Sequence, residues 1–167
     1  MNSEKNNDLK PTAKLVLMGL VAAMYVALTS SFGFGIVQFR MSEMFNHLAA
    51  FNKRYIVAVT LGVVIANSFQ SPYGMIDVVV GSLQTLVMTS LAYFCTRKVK
   101  NTITKLTITT VISTLMMWVI AVEIMYMTKA PIAFWPTYGS LMVGELASMV
   151  LGGIIIYFIS KRIDLTR

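Results

Sequence analysis

Charge is scarce in this chain: 13% of its 167 residues are charged, about half the share of an ordinary soluble domain. With a mean hydropathy of +0.71, that scarcity excludes a water-soluble globular fold. Cysteine is rarer still. Cys95 stands alone, which excludes an internal disulfide and a multi-cysteine metal site, and it is expected to pack as a small apolar residue. There is no G-x-x-x-x-G-K-[ST], so nothing here couples ATP hydrolysis directly. There is no H-E-x-x-H either, so a membrane enzyme with a metal held by the lone His47 and nearby acids fits poorly. The chain shows no repeat of fixed period, and low complexity is confined to its polar start. The first ten residues are polar and 15–31 lacks a small-residue cleavage site, so no cleavable signal peptide is expected.

What the chain does have is apolar residues, 56% of the total, and cations in four clusters. These are Lys5, Lys10 and Lys14; Lys53 and Arg54; Arg97, Lys98, Lys100 and Lys105; and Lys161, Arg162 and Arg167. Only Arg40 and Lys129 fall outside them. The net charge of +7 is therefore spread along the chain in the manner of short cytoplasmic loops, and no nucleic-acid partner is expected. An even number of crossings between clusters predicts an all-α integral membrane protein, a six-helix bundle with both termini cytoplasmic. Residues 1–10 form a polar cytoplasmic tail and 11–167 the membrane domain, with helices near 11–31, 40–52, 55–70, 74–97, 102–128 and 137–160. The second segment, RMSEMFNHLAAFN, is only ~20 Å of helix. Carrying Arg40, Glu43, Asn46 and His47, it is either a short helix surrounded by protein or a re-entrant element lining a cavity.

Polar residues gather at one end of the apolar segments. Asp77 lies about 20 residues, ~30 Å of helix, before Arg97; Glu123 lies about 18 after Lys105, and Glu145 about 16 before Lys161. Glu43 follows the loop after the first helix, so all four carboxylates belong to the outer half of the membrane. Helical phase places Arg40, Glu43 and His47 on one face, Asp77, Gly81 and Gln84 on another, and Tyr138, Glu145 and Gly152 on a third. Asn67 and Gln70 end the third helix. Buried ionisable groups at membrane depth commonly mark a ligand or ion path. Structural readings stand beside this one. Asp77 complements a helix N-terminus; Tyr73, Trp135 and Tyr138 suit an interfacial aromatic belt; His47 alone suits packing; and Glu123 is expected to pair with Lys129 near the surface. In the first helix Gly19, Ala23 and Ala27 recur every four residues, a stripe that serves close packing within the chain or docking to a partner.

Three segments carry a family resemblance: QFRMSE at 38–43, ANSFQSPYGMIDVVVGSLQT at 66–85 and WPTYGSLMVGE at 135–145. Through them the chain resembles the substrate-binding S components of energy-coupling-factor (ECF) vitamin transporters, and more narrowly their QueT-like queuosine-precursor branch. The resemblance implies an external loop after helix 1 that caps an outward-facing pocket. It also implies a transmembrane coupling subunit contacted by Gly19, Ala23 and Ala27, two ATPase subunits, and location in the plasma membrane of a bacterium. The implied substrate is a 7-deazaguanine or related precursor. A carboxylate, Glu145 or Glu43, would accept from the N–H donors of such a base, and Asn67, Gln70 or Gln38 would read its oxygen. Tyr73, Trp135 and Tyr138 would stack on the ring, and Arg40 would pair with a carboxylate and hold the loop. His47, Asp77 and Gln84 complete the candidate set, with no cofactor and no metal. A cationic vitamin such as thiamine suits the same cup, and an autonomous carrier is the alternative to an energised complex.

Overall fold

A computed structural model describes residues 9–32, 39–71, 73–128 and 133–166. Among these, every regular element is helical. Helix α1 (Pro11–Phe32) starts on a proline, whose missing N–H costs nothing in a first turn. After it come a 3-10 turn (Met41–Phe45) and the short α2 (Asn46–Ala49). The rest is α3 (Arg54–Gln70), α4 (Met75–Thr96), α5 (Thr102–Met116), α6 (Trp118–Thr128) and α7 (Phe134–Ser160). Four stretches, Pro11–Thr29, Met75–Thr96, Thr102–Thr128 and Phe134–Ser160, are long and apolar enough to cross a membrane, whereas α3 is shorter.

Polarity is arranged inside out. On α4 the outward face carries Leu83, Leu86, Val87, Leu91 and Phe94, while Asp77, Gln84, Thr85 and Thr89 are buried. Cys95 also lies on that exposed face, not in the interior. Side chains that lack water as a partner find backbone instead: the hydroxyls of Thr29, Thr89, Thr96, Thr109, Thr110 and Ser148 each bond the carbonyl four residues back. This satisfies the polar group without leaving its own helix.

The short segment after α1 has the environment its polarity demands. Every residue from Ser42 through Ala50 is buried, with α1 and α7 packed on the 3-10 turn and α3, α4, α5 and α7 packed on α2. Its contact with α7 depends on Gly152, where a Cβ would fall 2.7 Å from Met44 Cα. Its far end is tied down, the Ala50 carbonyl accepting from Lys105 Nζ at 2.9 Å and Thr96 Oγ1 at 3.3 Å.

The stretch 102–128, expected as one helix, breaks at Met117. No proline or glycine lies within it, so the break is held from outside. Gln84 Nε2 of α4 donates to the Met116 carbonyl at 3.1 Å, and the Tyr138 hydroxyl of α7 donates to the Leu115 carbonyl at 2.9 Å. Side chains inserted at a helix ladder are a recognised cause of such bends.

The main apolar core, with Leu48, Tyr55, Ala58, Val59, Leu106, Ile156 and Leu165, lies toward the ends that carry Lys53, Arg54, Lys105 and Lys161. The other half of the molecule holds a polar cavity.

A polar cavity between α1, α3, α4, α6 and α7

The cavity is lined by Tyr25, Arg40, Glu43, Val63, Asn67, Asp77, Gly81, Gln84, Thr85, Met88, Met117, Ile120, Leu141 and Glu145. Apart from Met88, these positions fall on each long helix in the half away from the cation clusters. Its volume of about 40 Å³ is room for on the order of three waters.

Glu43 is the most firmly held acid. Its Oε1 accepts from the Tyr25 hydroxyl and its Oε2 from Asn46 Nδ2, each at 2.7 Å. Hydrogen bonds to an ionised acceptor are short and strong, so this trio fixes the 3-10 turn against α1. Thr29 Oγ1 adds a 2.7 Å bond to Ser42 Oγ. The Arg40 backbone N–H donates to Ser148 Oγ of α7 at 3.2 Å, and the Arg40 guanidinium lies in the field of Glu43, Asp77 and Glu145. Glu145 is 5% exposed, and its Oε1 is buried with no hydrogen-bond partner. Asn67 Nδ2 donates to the Asp77 carbonyl at 3.1 Å and lies 3.5 Å from its Oδ1. That approach needs Gly81, where a Cβ would meet Asn67 Nδ2 at 2.7 Å.

Six of the expected site residues therefore share one cavity: Arg40, Glu43, Asn67, Asp77, Gln84 and Glu145. The other described candidates do not line it. His47 was expected on the face of Arg40 and Glu43, but residues 41–45 wind as a 3-10 helix. Three residues per turn bring 40 and 43 into register and carry 47 round. Its Nε2 bonds the Met149 carbonyl at 2.9 Å, a packing arrangement. Gln70 is exposed at the end of α3, and Tyr73 is half-buried in the turn, where its backbone N–H meets Ser71 Oγ at 3.0 Å. Trp135 is 76% exposed, and Tyr138 stacks on Phe134 with ring centroids 5.5 Å apart. Gln38 and Lys129 lie outside the described residues. Glu123, expected near the surface beside Lys129, is 6% exposed, and both of its carboxylate oxygens are buried without a partner among the described residues. Tyr25 was missed: it reads as one more large side chain in an apolar helix, and its partner Glu43 is distant in sequence.

Residues 15–161 match the family described as QueT transporter. The chain is also 38% identical, over 171 aligned residues, to the queuosine precursor transporter QueT of Lactococcus lactis subsp. cremoris (strain MG1363), covering 93% of this chain and 97% of that protein. No solved structure matches it. With its several apolar spans the chain is a multi-pass membrane protein, and its relatives make it a transporter, not an enzyme. It belongs to the QueT transporter family.

Proposed function

We propose that this chain is the substrate-binding membrane subunit of an ATP-driven ECF uptake transporter, and that it captures a queuosine precursor of the 7-deazaguanine type from outside the cell. The observation that carries the reading is the cavity that joins Arg40, Glu43, Asn67, Asp77, Gln84 and Glu145 in the half away from the cations, over an apolar core. A guanine-like edge offers adjacent N–H donors to a carboxylate and an oxygen to an amide or guanidinium. Glu145, with its unpartnered oxygen, takes the donors; Asn67 or Arg40 takes the oxygen; Met88, Met117 and Leu141 face the ring. A fused bicyclic ring is larger than the roughly three waters the cavity has room for, so binding widens the cavity. In this reading six helical segments form the membrane bundle with both termini cytoplasmic, in a bacterial plasma membrane; the loop after α1, expected to cap the pocket, lies outside the described residues.

Transport then needs partners. Gly19, Ala23 and Ala27 are all exposed along α1, and a Cβ at Gly19 would meet nothing within 4 Å. A flat stripe of small residues supports close docking of a coupling subunit, which brings two ATPase subunits.

Native mass spectrometry of the purified chain tests the substrate: a bound 7-deazaguanine is expected, and bound thiamine would overturn the assignment. Uptake that persists after deletion of the ATPase subunits would instead make the chain an autonomous carrier.

A further inference from the structure

Negative groups outnumber positive ones around the cavity. Glu43, Asp77 and Glu145 stand in its wall with Arg40 as the cation among the lining residues, and this guanidinium lies in the field of all three. Glu43 has both oxygens bonded by Tyr25 and Asn46, but Glu145, 5% exposed, keeps one oxygen unpartnered at the cavity. Glu123 adds a fourth carboxylate. It lies on α6 one turn beyond Ile120, which lines the cavity with Met117. α6 packs on α4 and α7. The ionisable groups that act on Glu123 are the cavity residues Asp77 and Arg40. Neither of its oxygens has a partner and the residue is 6% exposed. A buried carboxylate is costly to leave unpaired, and no donor for Glu123 lies among the described residues.

The geometry points to Glu123 as a ligand-binding, specificity-determining residue: as the cavity widens past Ile120, Glu123 and Asp77 receive a protonated amine carried by the ligand. This rests on the function proposed above and adds the charge of the substrate to it. An ammonium group brings three donors and one positive charge, which offsets the carboxylate excess that Arg40 leaves. Ring recognition falls to Glu145, whose Oε1 is unpartnered. A neutral substituent of similar size leaves Glu123 buried and unpaired, so the same ring without the amine is rejected.

The test is calorimetric titration of the purified chain with two probes, 7-(aminomethyl)-7-deazaguanine and 7-cyano-7-deazaguanine. The amine is expected to bind the wild type at least about tenfold more tightly, the scale of a hydrogen bond to a charged group. Glu123→Gln is expected to remove that preference while binding the cyano probe as the wild type does, and Glu123→Asp to retain part of it. Equal affinity of the wild type for the two probes would overturn the inference and leave the proposed function standing. So would a Glu123→Gln variant that weakens both probes alike. If neither probe binds, the proposed function fails and this inference with it. Should Glu123→Gln not fold, the wild-type ratio and Glu123→Asp decide.

Discussion

Glu43 and Glu145 face one cavity, yet their removal should have opposite consequences for stability. Methionine is the closest unbranched apolar replacement for each. Glu43→Met strips the acceptor from the Tyr25 hydroxyl and from Asn46 Nδ2, both at 2.7 Å, in residues that are 2% and 0% exposed. Each orphaned buried donor costs ~1–3 kcal/mol, about 2–6 kcal/mol for the pair. At ~2–4 °C per kcal/mol for a chain of this size, the melting temperature should fall by roughly 4–24 °C. Glu145→Met removes an acid whose Oε1 bonds to nothing, so the ligand-free protein should melt at or above the wild-type temperature while losing ligand affinity. Glu43→Gln is milder, since Asn46 can turn its unpartnered carbonyl oxygen toward the new amide. The assay is thermal unfolding of the three proteins in one detergent without ligand. A Glu43→Met variant that melts with the wild type would refute the reasoning, as would an equal fall in Glu145→Met.

Three further outcomes follow from close approaches and from the α1 stripe. Gly81→Ala forces Asn67 off α4, because the new Cβ meets Asn67 Nδ2 at 2.7 Å; ligand affinity measured by titration should fall about tenfold, the worth of one polar contact. Gly152→Ala sets a Cβ 2.7 Å from a backbone atom, Met44 Cα, which no rotamer change relieves. An overpacking cost of ~1–3 kcal/mol should appear as a melting temperature several degrees lower. Gly19→Leu and Ala23→Leu alter exposed positions of α1: co-purification with the coupling subunit and uptake should drop, while the isolated chain binds ligand with unchanged affinity.

The part of the cavity lining legible in advance is the part built on regular helix. Asp77, Gly81 and Gln84 follow α-helical spacing, α4 is an uninterrupted α-helix, and all three reach the cavity. Glu145 was legible for the same reason on α7. His47 was not, because phase was counted at 3.6 residues per turn through a segment that winds at three. Neither the break at Met117 nor the burial of Glu123 leaves a local trace. The first is held by Gln84 and Tyr138 from other helices, and the second depends on how α6 packs against α4 and α7. The pairing of Tyr25 with Glu43 likewise exists only once α1 and the 3-10 turn are side by side. Spacing within a helix was readable; what one helix does to the backbone or burial of another was not.

The buried segment from Ser42 to Ala50 differs from its neighbours in what it answers to. The long helices must satisfy lipid on one side and protein on the other, which restricts their outer faces to residues such as Leu83, Val87 and Phe94. A segment walled in by protein has no such obligation. Its polar side chains are held to Tyr25, Thr29 and Met149 and to one another. Substitutions in it can therefore retune the cavity without disturbing the seat of the protein in the bilayer, which makes this short stretch the natural place for relatives with one scaffold to diverge in what they carry.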